Sequence, residues 1–295
     1  MIKFDFYTLG GYLFWEDVFF YNKWRIQRNY WTKKYRLLDQ WDIRRASGSY
    51  NECKISFENF AKSYELPKQN SNMIVFIHGI MSSKNSFRKI WREAVKDGYN
   101  VASINYPSTR KDIEAHTEQL EFFLDNLEHI KDISFVTHGI GGIILRNLLI
   151  RNSKWKRKIK IGNIVQICPP NKGSIAFEYL SKYRISKYLL GPSISELTPD
   201  GIKNFPRFDK NLNVGIISGG KDNASGYNKF LKSDNDGLFT VRETKLNNCK
   251  HINLQIIGIF APYYDIVNHI TLRFIKNGNF SINRAPIPKK FKLKA

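Results

Sequence analysis

The sequence predicts an α/β domain, with a mostly parallel central sheet covered by helices. Three observations carry that expectation. Short, continuous apolar runs recur along the chain, as strands buried on both faces require. Segments with helical spacing of apolar residues separate those runs. Glycine- or proline-bearing turns mark most of the boundaries between them.

The elements can be taken in order. Residues 1–65 are rich in aromatics and mixed charge, with Phe14-Trp15, Trp24 and Tyr30-Trp31. So many aromatics are rarely left in water, so this part is expected as an N-terminal extension packed onto the main domain. A polar linker from Glu65 leads into Met73–Ile77, a buried strand bounded by His78-Gly79. Ser82 or Ser83 can cap a helix carrying Phe87, Ile90, Trp91 and Val95, which ends at Gly98.

Val101–Tyr106 is the next strand, and Asp112–Leu127 the next helix. Ile133–Val136 is a short strand, followed by a glycine-flanked turn and a helix over Ile143–Ile150. Ile164–Cys168 is a further strand, closed by Pro169-Pro170. Residues 175–212 break the rhythm and are expected as a cap or lid insertion. Val214–Ser218, Leu238–Val241 and Leu254–Ile257 complete the strands, and a last helix covers about Tyr263–Ile275. The main domain thus runs over residues 70–280, with a basic tail over 281–295. No internal repeat is visible.

Composition narrows the function classes. The chain of 295 residues is 42% hydrophobic and 14% aromatic, enough for a sizeable core, so disorder is not expected for most of it. Cys53, Cys168 and Cys249 are odd in number and widely spaced. They argue against a disulfide framework or a cysteine metal site and fit a reducing, cytoplasmic compartment. Asp5, Glu16 and Asp17 argue against a secretory signal, and no apolar run reaches the roughly 20 residues of a membrane-spanning helix. The net charge of +21 is spread along the chain, densest at Lys154–Lys160 and around Pro288. A lysine-rich background, with both clusters as solvated faces, is preferred over attraction to an anionic membrane surface. No nucleic-acid motif accompanies it, so no nucleic acid is expected as a partner.

The turn Phe135-Val-Thr-His-Gly-Ile-Gly-Gly-Ile143 resembles the nucleophile elbow of α/β-hydrolases of the bacterial lipase/esterase type. A histidine precedes the nucleophilic serine in that pattern. The serine position falls at 139, and this chain has Gly139 there. Phe76-Ile-His-Gly-Ile-Met81 resembles the His-Gly loop that gives the oxyanion hole a backbone N–H. Asn105-Tyr-Pro-Ser-Thr109 and Pro169-Pro-Asn-Lys-Gly-Ser174 are similar to the segments after the following strands. Asn235-Asp-Gly237 resembles the loop presenting the acid of the triad, which places that acid at Asp236. The resemblance covers residues 70–280 and implies an α/β-hydrolase fold. It also implies oxyanion-hole or pocket roles for His78, Gly79, Ile80, His138 and Ile140.

The triad histidine of that family sits just after a late strand and before a helix ending in a Phe-Leu-x-x-Gly-x-Phe-like sequence. Here that end is Phe274-Ile-Lys-Asn-Gly-Asn-Phe280, and counting back along the helix puts the histidine position at Gly258. His251 lies seven residues upstream, roughly 23 Å if extended. His269 lies eleven downstream, about 16 Å if helical. Neither easily reaches the site. His78 and His138 read as structural members of their turns, and His116 and His129 as ordinary helix residues.

A serine hydrolase needs an attacking oxygen, a base, and a group that orients the base. Gly139 and Gly258 supply neither oxygen nor base. An elbow residue is expected at φ > 0, a strain of order 1–3 kcal/mol for a residue other than glycine. Gly139 relieves it. Two other readings of Gly139 are an unrelated tight turn and a glycine-rich phosphate loop, but neither GxGxxG nor Walker spacing is present. Three functions follow. The first is a pseudo-hydrolase with a degenerate triad, binding a lipid, an acyl compound or a protein partner. The second is an active carboxylic-ester hydrolase with a relocated nucleophile, Ser82, Ser83 or Ser174. The third is a basic protein on anionic membranes, with the aromatic N-terminus partly inserted. No cofactor is expected, and no HxH, HExxH or clustered-carboxylate pattern points to a metal.

Overall fold

The computed structural model describes residues 14–281. Residues 1–13 of the expected N-terminal extension and all but the first residue of the 281–295 tail lie outside these. The extension builds a sheet of its own. Strands β1 (Trp15–Tyr21), β2 (Trp24–Asn29), β3 (Tyr35–Leu38) and β4 (Arg44–Gly48) form an antiparallel meander in chain order. Helix α1 (Tyr50–Ser63) follows, started by a reciprocal capping box between Ser49 and Glu52. Phe19, Trp24, Ile26, Leu37, Cys53 and Phe57 form a small core between them.

The aromatics divide in a way that composition did not predict. Trp24 is buried, whereas Trp31 is 69% exposed and Trp41 61% exposed. Two acids in β1 are buried instead. Glu16 pairs with Lys111 at 2.6 Å, and Asp17 accepts from Gln27 at 2.7 Å and from the Asn105 N–H at 2.7 Å. The bonds to Lys111 and Asn105 hold the small sheet against the larger domain, because an unpaired buried carboxylate would be costly.

The larger sheet has six parallel strands: β5 (Asn72–Ile77), β6 (Asn100–Ile104), β7 (Asp132–His138), β8 (Lys160–Ile167), β9 (Val214–Gly219) and β10 (Lys250–Leu254). Their spatial order is β10-β9-β8-β7-β5-β6. Alternation along β5 sends Met73, Val75 and Ile77 to one face and Ile74 and Phe76 to the other. Helices α2 (Arg88–Lys96), α3 (Ile113–Asp125), α4 (Gly141–Leu149) and, near the C-terminus, Asp265–Asn277 cover the sheet. The first face packs against α3 and α4, the second against α2 and the C-terminal helix.

Residues 175–212, expected as a cap or lid, fold as three short helices, α5 (Ile175–Ser181), α6 (Arg184–Leu190) and α7 (Ser193–Glu196), with a 3-10 turn at Gly201–Asn204. After them come the one-turn helix α8 (Val241–Thr244) and the C-terminal helix, α9.

Two expected strands are corrected. Leu238–Val241 is a turn, not a strand: Asp236 Oδ1 accepts from the N–H groups of Leu238 and Phe239. A capping box between Thr240 and Glu243 then starts α8. The strand expected at Leu254–Ile257 lies earlier, at Lys250–Leu254. It is the sheet edge, so its apolar pattern is weak, while Ile256 reaches the core from the loop beyond it. His129 is also not helical. It sits in a bend at φ 61°, with its ring edge-on to Tyr21.

Candidate functional site

The chain starts the large sheet at β5, steps out to β6 and returns to β7 on the other side of β5. The crevice at the carboxyl ends of β5 and β7 is therefore a topological switch point, where open α/β sheets bind ligands. The His78-Gly79 loop and the His138-Gly139 turn both open onto it.

Gly139 joins β7 to α4 at φ 52° and donates its N–H to Ile167 O at 3.0 Å. A β-carbon at Gly139 would meet only the Cα of Gly79, 3.8 Å away, so the space above the turn is open. The two glycines that follow are needed for close packing. A β-carbon on Gly141 would stand 2.6 Å from Ile77 O, and one on Gly142 2.7 Å from Gln166 Nε2. The backbone N–H groups of Ile80 and Ile140 have no hydrogen-bond partner within the described residues. They sit beside Gly139 around one cavity.

That cavity, of about 470 Å³, brings Gly139, Asp236 and Gly258 together, although 119 residues separate the first from the last. Its walls are mainly apolar: Ile80, Ile140, Phe177, Leu180, Leu238 and Phe239. Gly79 and His138 also line it, whereas His78 lies outside the lining. His78 is fully buried, its ring stacked on Tyr106 at 4.2 Å and its Nδ1 2.8 Å from Gly79 O. Tyr106 also packs edge-on against His116, which is helical as expected but completely enclosed. Burial pushes His78 down to about 4, so it is neutral and holds its loop in place.

His138 Nε2 lies 2.9 Å from Gly258 O. A carbonyl only accepts, so Nε2 carries the proton and Nδ1 presents a bare lone pair. That Nδ1 is buried without a partner, and burial pushes His138 down to about 4. Asp236 is 1% exposed. Its Oδ1 accepts from Phe239 N at 2.7 Å and Leu238 N at 2.9 Å, while Oδ2 has no partner. Burial pushes Asp236 up to about 6, against the two N–H donors and the neighbouring Cys168 thiol.

The alternative nucleophiles are placed as follows. Ser83 Oγ caps the 3-10 turn before α2, and Ser174 Oγ caps α5. Ser82 lines the cavity. No hydrogen bond joins any of the three to a histidine among the described residues. His251 lies on edge strand β10 opposite Ile216, and His269 bonds Arg273 on α9; neither lines the cavity. Among the described residues no group of three or more His, Cys, Asp or Glu side chains could hold a metal. No helix there is long and apolar enough to cross a membrane.

Two features escaped sequence reasoning. The buried, unpaired Nδ1 of His138 was hidden because the group that fixes the ring, the Gly258 carbonyl on Nε2, lies 120 residues away. The belt of apolar residues around the cavity mouth carries no recognisable period. It includes Met81, Ile259 and Phe260, each at least half exposed.

Residues 67–171 match the family described as "Putative serine esterase (DUF676)". The mature lipase BlEst2 of Bacillus licheniformis superposes with a TM-score of 0.57 at 18% identity, covering 73% of this chain and 95% of that one. The lin2722 gene product of Listeria innocua gives 0.50 at 13% identity, covering 70% and 94%. No curated protein matches the chain. The chain therefore has the α/β-hydrolase fold of lipases and esterases, and the segment carrying both its His-Gly loop and its elbow matches that esterase family.

Proposed function

We propose that this protein is a pseudo-hydrolase, a lipase-like scaffold that binds an acyl ligand without Ser-His-Asp hydrolysis. One observation carries the reading. The nucleophile, acid and histidine positions converge on a single apolar cavity, yet Gly139 and Gly258 bring no side-chain atom to it. Chemistry is lost there while the binding space is kept. A volume of about 470 Å³ suits a medium or long acyl chain. The free N–H groups of Ile80 and Ile140, the latter at the start of α4, favour the carbonyl or carboxylate at its head.

The source of such a ligand is a lipid surface, on this reading. Tyr179, Tyr183, Ile185, Tyr188 and Leu189 are exposed on the cap beside Lys182, Arg184 and Lys187. Apolar rings flanked by cations suit the headgroup region of an anionic membrane.

Titration with a fluorescent long-chain fatty acid tests the binding. Saturable one-to-one binding is expected, lost when Leu180→Trp fills the cavity. Binding unchanged in that variant would place the ligand elsewhere. Steady ester turnover needing Ser82 would favour the active-hydrolase reading instead.

A further inference from the structure

A second cleft, of about 560 Å³, lies between the N-terminal sheet and the outer side of β6 and α2, away from the elbow. Lys23 enters it from the β1–β2 turn, Arg25 from β2, and Trp41 and Asp42 from the β3–β4 connection. Lys84 and Arg88 enter from the start of the α2 region. Clefts between two structural units are favoured ligand sites. This one is also held in shape. Asn22 donates to Pro67 O, and Asn100 Nδ2 to Gln69 Oε1 at 3.0 Å, tying the β1–β2 turn to the linker and to β6.

The charge of the lining is unbalanced. Lys23, Arg25, Lys84 and Arg88 face it, and Asp42 is its one carboxylate among the described residues. Asp42 is engaged by Lys84 at 2.6 Å. Arg25 is 8% exposed, with Nη1 3.4 Å from Asp17. Its Nε is buried without a hydrogen bond, since Asp42 Oδ1 stands 3.9 Å away. A buried guanidinium N–H left without a hydrogen bond is costly. Burial, then repulsion by Arg25, lower Lys84 to about 8, against the attraction of Asp42 and Asp17.

Beside these cations stand Trp91, Tyr99 and the exposed Trp41. Exposed tryptophan is uncommon unless it meets something flat or apolar. The amides of Asn70, Asn85 and Asn100 line the same space.

We propose that this cleft binds a small organic phosphate: its dianionic head on Arg25, Lys84 and Arg88, its planar body against Trp41 and Trp91, and its polar edge on the asparagines. A nucleoside monophosphate has this chemistry and fits the volume. The site is independent of the acyl cavity, so success or failure of one says nothing about the other.

Calorimetric titration of the full chain with adenosine 5′-monophosphate tests the proposal, alongside adenosine and inorganic phosphate. Saturable one-to-one binding is expected for the monophosphate, at least about tenfold weaker binding for phosphate, and none for adenosine. The double variant Trp41→Ala/Arg88→Ala changes two exposed side chains, so its melting temperature should equal wild type while its affinity falls by about tenfold or more. Lys154→Ala/Lys160→Ala, at the distant basic cluster, should bind as wild type. Absence of binding would overturn the proposal. So would binding that survives the cleft variant, which would reflect diffuse attraction to the basic surface. Inorganic phosphate binding as tightly as the monophosphate would overturn the stacking part.

Discussion

The carboxylate of Asp236 fills the space in which a β-carbon on Gly258 would have to stand. The backbone reinforces the pairing, with Gly258 N–H donating to Asp236 O at 2.9 Å. Gly258→Ala is therefore expected to destabilise by about 1–3 kcal/mol through overpacking. In an Asp236→Ala background most of that cost should vanish, giving a clear coupling energy in a double-mutant cycle measured by urea unfolding. Additive effects would mean that the two residues do not compete for this space.

Gly139 presents the opposite case, an open space with a restricted backbone. A methyl group would meet nothing closer than 3.8 Å, yet φ is 52°. Gly139→Ala should cost on the order of 1 kcal/mol, from backbone strain alone. Thermal unfolding checks it, and a stabilised variant would contradict the left-handed turn.

These two environments predict how far hydrolysis can be restored. Wild-type protein should show no turnover of short-chain nitrophenyl esters above buffer. Gly139→Ser fits sterically but leaves the hydroxyl without a base. Gly258→His must first displace the Asp236 carboxylate, the group expected to orient it. Triad members act as a unit, so the double variant should exceed the sum of the single ones yet remain weak. Wild-type activity that survives Asp236→Ala would place the chemistry elsewhere.

Asp236 also sets a pH dependence. Its folded value of about 6 lies above the ordinary 3.8, so the folded protein holds a proton that the unfolded chain releases. Stability from this group is intact below pH 3.8, falls between 3.8 and 6, and stays reduced above. Asp236→Asn keeps an acceptor for Leu238 and Phe239 and removes the charge. It should be more stable than wild type by about 2–3 kcal/mol at pH 7, a gain that disappears near pH 4 in equilibrium unfolding at each pH.

Lipid docking makes its own prediction. Sedimentation with anionic vesicles should be strong at low salt and fade at high salt. Tyr188→Asp/Leu189→Asp, at two exposed cap positions, should abolish it without lowering the melting temperature. Equal binding to neutral vesicles would remove the electrostatic contribution.

Much of the domain was legible in the residues themselves. Strands β5, β7, β8 and β9 announce themselves because both faces are buried, which demands continuous apolar runs such as Met73–Ile77. The turn at Gly139 was legible too, because glycine there answers a local need of φ, 52° in the structure. What depended on distant partners was not. Nothing local shows that Glu16 and Asp17 are buried and met by Lys111, Gln27 and Asn105. Leu238 and Phe239 read as a strand because they are apolar, but Asp236 captures their N–H groups for a turn. Counting residues placed Gly258 at the histidine position. Only the tertiary structure set it against Asp236 and gave its carbonyl to His138, because burial leaves a periodic trace in the local sequence and a contact across a hundred residues leaves none.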